Sequence, residues 1–363
     1  MIKGPILAID TSCDDTSAAV TMGRYVLSNV IASQTDLHRP YGGVFPTVAK
    51  QAHRENIAPT VIQAMKKAKV SWTDIKAIAV TQGPGLAPAL EVGIEFTQEL
   101  ANQYQKPLIP VNHIEGHILS VLALPKPQRK AWQDLDSSMP QDLDSSMPDV
   151  KNALSVIVSG GHTEFVLIEK LGKYKVLGQT LDDAAGECLD KIGRMINLGY
   201  PAGPVIEEFA KLGNPKAIPF PLPLTTTKSY DLSYSGLKTF ARNKLEEMGG
   251  IEALKKQDIY DFAASTQYSV FRHIMYKLSK LLETRNFSQI WLDGGVAANV
   301  TLRRMLRETI KDSKMQVTNP KLLVPYAKKL CMDNAGMVGV VGAITTHHKS
   351  NSNISRQPKM ELT

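Results

Sequence analysis

The chain has 363 residues, enough for two domains or for one fold with two lobes. Hydrophobic residues make up 43% of the sequence and charged residues 21%, values close to globular averages that exclude collagen, coiled coil and global disorder. The net charge of +7 permits a polyanionic partner without requiring one. Cys13, Cys188 and Cys331 lie too far apart for a CxxC metal site, and their odd number argues against a disulfide framework.

The N-terminus predicts neither export nor membrane insertion. Met1 leads directly into a strand-like run at residues 5–9, without the basic and apolar regions of a signal peptide. No apolar run approaches the roughly 18 residues that a membrane span needs. We therefore expect a cytoplasmic protein with no membrane association.

The first predicted elements form a strand–turn–strand unit. Residues 5–9 are apolar, residues 10–16 are polar, and residues 17–20 form a second apolar run. The same order returns at residues 153–168, where Ser159-Gly160-Gly161-His162-Thr163 separates two apolar runs. Two such units about half a chain apart predict a duplicated architecture.

Helical patterns follow each of these units. Apolar positions recur at helical spacing in residues 48–69 and again in residues 259–284. Strand candidates at residues 75–81 and 289–293 then run into glycine-rich turns. Strands that alternate with helices in this way predict the α/β class.

A polar segment, residues 125–151, separates the two halves. Residues 133–140 are repeated without change as residues 141–148. Such low-complexity composition cannot bury a core, so we predict a flexible linker that carries no functional site. The chain from Thr345 onward is also polar, and we expect a mobile tail at residues 346–363.

His113 and His117 are the sharpest local signal for a metal site. Side chains at i and i+4 lie on one face of a helix and can share a metal ion, with a third ligand from elsewhere in the chain. Two histidines of a core or a surface are the alternative interpretation. Glu115 lies ~200° around an ideal helix from His113, away from the histidine face, so the zinc-peptidase pattern HExxH is absent. Asp333, just before the small-residue apolar stretch 335–344, is a candidate for the third ligand.

Three turns are candidates for a nucleotide or phosphate site. Gly160 and Gly161 allow close approach of backbone N–H groups to an anion, although a tight hairpin alone also explains them. Residues 293–299 place two glycines between a strand and a helix, and residues 186–191 carry carboxylates suited to ribose hydroxyls or to a first helical turn. Neither a Walker A motif nor a GxGxxG fingerprint occurs, which disfavours P-loop and Rossmann folds.

Nine motifs, taken in order, resemble one protein family. They are Ile9-Asp10-Thr11-Ser12-Cys13-Asp14-Asp15-Thr16, Tyr41-Gly42-Gly43-Val44-Phe45-Pro46, Gly83-Pro84-Gly85-Leu86, His113-Ile114-Glu115-Gly116-His117, Ser159-Gly160-Gly161-His162-Thr163, residues 186–191, Leu232-Ser233-Tyr234-Ser235-Gly236-Leu237-Lys238-Thr239, residues 293–299 and Cys331-Met332-Asp333-Asn334. The family is that of the tRNA N6-adenosine threonylcarbamoyltransferases, once described as glycoprotein endopeptidases. The resemblance spans the chain apart from the repeat segment and the tail.

The resemblance implies a bilobal actin-like fold, related to sugar kinases and chaperone ATPases. In that fold two duplicated βββαβα lobes surround a nucleotide cleft. We therefore expect an N-terminal lobe at residues 1–124, completed by about 320–345, and a C-terminal lobe at residues 152–320. The implied reaction moves the threonylcarbamoyl group from threonylcarbamoyl-AMP to N6 of the adenosine 3′ of the anticodon, in tRNAs that read codons beginning with A.

The resemblance also implies site residues. The metal ligands would be His113, His117 and Asp333, around one divalent ion, Fe(II) or Zn(II). Asp14 and Asp15 would position or deprotonate the attacking amine. The substrate-binding residues would be Ile157, Val158, Ser159, Gly160, Gly161, Asp190, Gly203, Glu207 and Asn299.

Three positions depart from the family pattern. Asp10 and Asp15 replace glutamates and reach one methylene less far. Ala202 replaces a glycine, so a positive φ at this position would strain the backbone.

The implied partners are tRNA and other proteins. Bacterial members work with a smaller related subunit and an ATPase, whereas archaeal and eukaryotic members belong to a kinase-containing complex. Basic residues on predicted helices are candidates for phosphate contacts, with solvated helix faces as the alternative. They include Lys66, Lys67, Arg303, Arg304 and Arg307.

Two other functions compete with the transferase interpretation. An actin-fold small-molecule kinase or ATPase would hydrolyse or transfer a γ-phosphate and would not need the histidine pair. A non-catalytic scaffold paralogue would be expected to lose the metal residues, yet His113, His117 and Asp333 are all present.

Overall fold

The computed structural model of the chain describes residues 2–127, 150–313, 320–344 and 354–362. The octapeptide repeat at residues 133–148 lies outside these ranges, as does the beginning of the predicted tail. The chain divides into two compact units. The first contains Met1–Lys151, Lys170–Tyr174 and Pro325–Thr363, and the second contains Asn152–Glu169 and Lys175–Val324.

The first unit is built on a six-stranded sheet with the order β5-β4-β1-β2-β3-β6. Strand β1 pairs with β2 in antiparallel and with β4 in parallel orientation, which confirms the predicted hairpin. Residues 6–9 of β1 are completely buried, as expected for an apolar strand covered on both faces. The strands are β1 (Pro5–Asp10), β2 (Asp15–Met22), β3 (Tyr25–Ser33), β4 (Ala77–Gly83), β5 (Leu108–Asn112) and β6 (Leu124–Pro125).

Within residues 2–127, α-helices connect or follow these strands. They are α1 (Thr35–His38), α2 (Pro46–Ala68), α3 (Ala87–Tyr104) and α4 (His113–Ser120). A short 3-10 helix, Arg39–Tyr41, follows α1. Helix α2 packs on β2 and β3, where Ile57, Val61 and Ala64 join the core formed by the sheet.

The second unit repeats this topology. Its five-stranded sheet has the order β11-β10-β7-β8-β9, which matches β5-β4-β1-β2-β3 of the first unit position by position. The strands are β7 (Ala153–Val158), β8 (Thr163–Lys170), β9 (Lys173–Gln179), β10 (Gln289–Asp293) and β11 (Lys321–Leu323). The helices are α5 (Ala185–Met195), α6 (Gly203–Ala210), α7 (Ser235–Glu247), α8 (Lys256–Thr284) and α9 (Val300–Asp312). The α/β class and the duplicated architecture are thereby confirmed.

The chain then returns to the first unit through helix α10 (Ala335–Ile344), every residue of which is buried. Glycines allow this helix to lie directly on the sheet. A Cβ added at Gly339 would be 2.5 Å from Thr21 Oγ1, and one added at Gly342 would be 3.0 Å from Ala79 Cβ. The small residues of this stretch thus permit close packing of α10 on the sheet.

The end of the chain differs from the predicted mobile tail. Residues 354–362 pack against the first unit, where Ile354 is buried beside Ile78 and Val80 of β4. Gln82 and Gln357 are joined by a backbone hydrogen bond of 2.9 Å, and the Gln82 amide donates to the Ser355 carbonyl at 2.8 Å. The polar composition of this segment gave no indication that Ile354 is buried or that the backbone forms hydrogen bonds with the first unit.

Within the described ranges, no helix is both long enough and apolar enough to span a lipid bilayer.

Candidate functional site

Helix α4 begins directly at the end of β5, and Asn112 forms its N-terminal cap. The Asn112 side-chain oxygen accepts hydrogen bonds from the backbone N–H groups of Ile114 at 2.8 Å and Glu115 at 3.2 Å. The cap places His113 in the first turn, and every residue of the helix is buried. An asparagine immediately before a helix is a start signal that can be read from the sequence.

His113 and His117 direct the same ring atom toward one carboxylate. The Nε2 atoms of His113 and His117 lie 3.5 Å and 3.1 Å from Asp333 Oδ1. The two rings are perpendicular, with centroids 4.7 Å apart. The three candidate ligand atoms lie within 4.8 Å of one another, so the structure brings the predicted triad together.

Asp333 is held by its neighbour Asn334. The Asn334 side-chain oxygen accepts from the Asn29 amide at 3.0 Å and from the Met337 backbone N–H at 3.1 Å, which ties the start of α10 to β3. Burial opposes ionisation of Asp333, but the adjacent His113 and His117 outweigh it and hold the pKa of the carboxyl well below its usual range. The site therefore contains an ionised carboxylate at neutral pH.

The donor set fits a divalent transition metal. Two imidazole nitrogens and one carboxylate oxygen are ligands for Fe(II) or Zn(II), and they leave coordination positions open. Donors that share one ion at about 2.0–2.2 Å lie roughly 3–3.5 Å apart, close to the separations of the two nitrogens from Asp333 Oδ1. Glu115 takes no part, because its side chain accepts a hydrogen bond from Tyr174 at 2.8 Å.

Asp10 lies on the Nδ1 side of the His113 ring. Asp10 Oδ2 is 3.9 Å from His113 Nδ1, and within the described ranges neither of these buried atoms has a hydrogen-bond partner. Asp10 Oδ1 accepts from the Ser12 backbone N–H at 3.1 Å. Metal-ligating histidines commonly donate their second ring N–H to a carboxylate, and 3.9 Å is too long for that bond. The shorter aspartate at this position thus leaves a gap between its carboxylate and the ring of His113, the first candidate ligand.

Asp14 immediately precedes β2, Asp15 is the first residue of that strand, and both are partly buried. Burial raises the pKa of Asp14, and the charge of Asp333 raises it further. Burial raises the pKa of Asp15 to about 6. A carboxylate with a raised pKa is a stronger base than an exposed one.

In the second unit the predicted phosphate turn follows β7. Ile157 and Val158 are buried strand residues, and Ser159 Oγ accepts from the backbone N–H groups of Gly161 at 3.2 Å and His162 at 2.9 Å. The Gly161 N–H therefore already donates a hydrogen bond to Ser159, whereas the sequence predicts that it would donate to a bound anion. Open space surrounds the Cβ positions of Gly160 and Gly161, so the turn remains accessible to a ligand.

Four more predicted substrate residues form hydrogen bonds within the second unit. Asp190 Oδ1 accepts from the backbone N–H groups of Ala202 at 2.8 Å and Gly203 at 3.0 Å. Glu207 Oε1 accepts from the Val300 N–H at 2.7 Å, and the Asn299 amide donates to Gln267 at 2.8 Å. These bonds connect α5 to α6, α6 to α9, and α9 to α8.

Ala202 is unstrained. Its φ of −86° is ordinary for alanine, so the strain considered for this departure from glycine does not arise. Its methyl group instead packs against Gly193 of α5, where an added Cβ would collide with it.

The carboxylates of residues 186–191 have ordinary partners as well. Glu187 Oε1 lies 2.9 Å from Lys191 Nζ in an ion pair within α5. Lys191 also pairs with Asp183 at 3.0 Å.

Among the candidate tRNA contacts, Lys66 and Lys67 are exposed in the last turn of α2, and Arg304 pairs with Glu308 at 3.1 Å on the surface of α9.

Comparison with known proteins agrees with this geometry. The family model described as tRNA N6-adenosine threonylcarbamoyltransferase, TsaD, matches residues 25–130 and 143–340. A transferase of that name from Acaryochloris marina is 43% identical over 345 residues, covering 93% of this chain and 87% of the relative. One from Clostridium kluyveri is 41% identical over 363 residues, covering 98% of this chain and 97% of the relative.

A solved structure supports the fold independently. HypF from T. kodakarensis superposes with a TM-score of 0.55 at 15% identity, over 93% of this chain and 46% of HypF. Its actin-like architecture agrees with the two matching sheets described above. Because the family model matches most of the residues on both sides of the repeat segment and full-length relatives are about 40% identical, the chain belongs to the tRNA N6-adenosine threonylcarbamoyltransferase family.

Proposed function

We propose that this chain transfers the threonylcarbamoyl group of threonylcarbamoyl-AMP to N6 of the adenosine 3′ of the anticodon, in tRNAs that read codons beginning with A. The adenosine amine attacks the carbonyl carbon, a C–N bond forms, the bond from that carbon to the phosphate oxygen breaks, and AMP leaves while the amine loses a proton. The observation that carries the proposal is the match along nearly the whole chain to transferases of this name.

We further propose that His113, His117 and Asp333 hold one divalent ion, Fe(II) or Zn(II). The convergence of two Nε2 atoms on one Asp333 oxygen supports this assignment. When bound, the ion supplies Lewis-acid chemistry at its open coordination positions. The chain itself keeps the imidazoles in place by burying α4 and by the Asn112 cap.

The residues around the phosphate turn are proposed to bind the adenylate. Ser159 shapes the turn at Gly160 and Gly161 by accepting two backbone N–H groups. Asp190 and Glu207 each have one oxygen engaged with the backbone of a helix N-terminus, which orients the carboxylates toward fixed positions. Such preorganised polar groups hold a substrate at little further entropic cost.

Asp14 and Asp15 are the proposed acceptors of the amine proton. With a pKa of about 6, Asp15 is largely ionised at neutral pH and is still basic enough to accept a proton during the attack. Asp14, whose pKa burial also raises, is the second candidate.

The two competing functions are less well supported. A kinase or ATPase interpretation rests on the fold, which at 15% identity to the solved structure indicates architecture alone. A scaffold paralogue would not need the converging triad of His113, His117 and Asp333. We propose tRNA as the macromolecular substrate, the cytoplasm as the compartment, and either a smaller related subunit with an ATPase or a kinase-containing complex as protein partners.

The decisive experiment is nucleoside mass spectrometry on unmodified tRNA after incubation with the pure chain, threonylcarbamoyl-AMP and candidate partner proteins. The wild-type chain should form threonylcarbamoyladenosine, and a chelator should abolish the product. Asp333→Ala should lose bound metal and at least about a hundredfold in rate, since one of three ligands is removed. Asp312→Ala, an exposed aspartate of α9, is the matched control and should retain both. An Asp333→Ala protein that retains both bound metal and product formation would refute the ligand assignment.

A further inference from the structure

An exposed pair of stacked aromatic rings lies in the segment between β3 and α2. The rings of Tyr41 and Phe45 have centroids 4.9 Å apart and an interplanar angle of 21°. Tyr41 is 55% exposed and Phe45 is 45% exposed. Large apolar side chains gathered in the open mark a binding surface rather than a core. None of the site residues assigned above lies in this segment.

The backbone holds the two rings in place. Gly42, with φ of 65°, ends the 3-10 helix Arg39–Tyr41, and its N–H donates to the Arg39 carbonyl at 3.1 Å. Phe45 precedes Pro46, the first residue of α2, and its carbonyl accepts from the Ala49 N–H at 3.0 Å. The pair is therefore preorganised, which lowers the entropy lost when a flat ligand stacks on it.

Buried hydrogen bonds connect this segment to the turn that carries Asp14. The Phe45 N–H donates to His38 Nδ1 at 3.3 Å, and His38 Nε2 lies 3.2 Å from Gln34 Oε1. The Gln34 amide donates to Thr16 Oγ1 at 3.4 Å, close to the start of β2.

The same network ends next to Asp14. His53 lies between Thr16 Oγ1, at 2.8 Å from Nδ1, and the Cys13 carbonyl, at 3.0 Å from Nε2. Gln34, His38 and His53 are completely buried, so these bonds form a rigid support. The stacked pair thus keeps a defined position relative to the proposed catalytic carboxylates of the same unit.

The chemistry of the pair suits a nucleobase. Every base presents a π-face, and aromatic side chains stack on bases of single-stranded segments without regard to sequence. The neighbouring Arg39, whose side chain is 63% exposed and lies 3.0 Å from Asp36, adds a cation within reach of an RNA backbone. A loop of tRNA offers unpaired bases on either side of the adenosine to be modified.

We infer that Tyr41 and Phe45 form a stacking platform for a nucleobase of the anticodon loop adjacent to the target adenosine. This inference rests on the proposed function, since it assigns a further contact to the same RNA substrate. The platform orients the loop so that the adenosine amine approaches Asp14 and Asp15. The apolar face of a partner protein is the competing occupant, and the experiment below separates the two.

The test uses the full chain and an anticodon stem-loop RNA with 2-aminopurine placed on either side of the target adenosine. Stacking on the platform quenches 2-aminopurine fluorescence, so the wild-type chain should quench one of the two labelled positions. Tyr41→Ala/Phe45→Ala should abolish this quenching and weaken RNA binding roughly 5- to 150-fold, the range for loss of one stacked base. Tyr41→Phe and Phe45→Tyr keep the rings and should retain both properties. Leu37→Ala, an exposed apolar residue without a ring, is the matched control.

Kinetics provide a second readout. The double alanine variant should raise KM for tRNA while KM for threonylcarbamoyl-AMP stays unchanged. Wild-type RNA affinity and quenching in that variant would overturn the inference, as would loss of partner-protein binding with RNA affinity intact. Absence of product with the wild-type chain would instead count against the proposed function, because quenching and RNA affinity are measured without turnover.

Discussion

Asp10 lies next to His113, the first of the proposed metal ligands. Its Oδ2 atom is 3.9 Å from His113 Nδ1, and neither atom has a hydrogen-bond partner among the residues that the structure describes. A glutamate, longer by one methylene of about 1.5 Å, would reach hydrogen-bond distance from the same backbone position. A replacement that looks conservative in the sequence therefore leaves the Asp10 carboxylate too far from His113, a proposed metal ligand, to accept a hydrogen bond from its ring.

Asp10→Glu should tighten metal binding, since a carboxylate that accepts the second ring N–H fixes the ring and raises its basicity. Outer-shell partners of this kind contribute about 10- to 100-fold to metal affinity, so a gain of roughly tenfold is expected. Competition with a chromophoric chelator measures the affinity directly. Asp10→Asn, which retains the acceptor for the Ser12 N–H, is the control and should bind metal no more tightly than the wild type. Equal affinities for Asp10→Glu and the wild type would show that the gap has no effect.

Asp15 makes folding stability depend on pH. Burial raises its pKa from the ordinary value to about 6, so the folded chain keeps a proton that the unfolded chain has already released. The resulting stabilisation is fully present below the unfolded pKa of about 4 and is lost as pH rises through about 6.

Asp15→Asn should remove this part of the pH dependence. The difference between the unfolding free energies of variant and wild type should shift in favour of the variant between pH 4 and pH 7, with its midpoint between pH 4 and 6. Urea denaturation at several pH values measures it, and comparison of the two proteins cancels the contribution of all other titrating groups. A difference that stays constant over this range would contradict the pKa assigned to Asp15.

At the scale of elements, the C-terminal segment at residues 354–362 forms hydrogen bonds to β4 and to Asn112, the residue that caps α4. Its backbone bonds to Gln82 at the end of β4, and the Asn112 amide donates to the Glu361 carbonyl at 3.0 Å. Asn112 also caps α4, the helix that carries both histidines. The last described residues thus stabilise the cap on which the position of the candidate ligands depends.

Ile354→Ala should destabilise the first unit. Ile354 is buried in the core formed with Ile78, Val80 and Leu108, and truncation of a buried isoleucine costs about 2–5 kcal/mol. The loss should appear as a lower urea midpoint with an unchanged slope. Val300→Ala, an exposed position of the second unit, should change stability by less than about 0.5 kcal/mol. A detached tail would make the two variants alike, and that result would exclude the packing described here.

At the scale of the whole molecule, the two units share one strand order, and their equivalent turns carry different residues. The turn between β1 and β2 and the turn between β7 and β8 occupy equivalent places in the two sheets. The first carries Asp14 and leads directly into Asp15, whereas the second carries Ser159, Gly160 and Gly161. Since strand pairing depends on the apolar residues, the turns are free to differ without loss of the fold.

Much of the fold was predictable, because it rests on local periodicity. Continuous apolar runs predicted β1, β7 and β10, and helical spacing predicted α2 and α8 within a few residues of their observed bounds. The strands β3 and β9 were not separately identified from these patterns. Residue 354 was missed as well, since a single apolar residue in a polar segment gives no periodic signal.

The sequence by itself determined the α/β class, the duplication, the histidine pair on one face of α4 and, through nine ordered motifs, the family. These features depend on residue types at short spacing. Only the tertiary structure decided that Asp333 meets the histidines across more than two hundred positions, that Asp10 falls short of His113, and that Tyr41 and Phe45 stack in the open. Such contacts depend on how distant elements pack, and spacing along the chain carries no information about their distances.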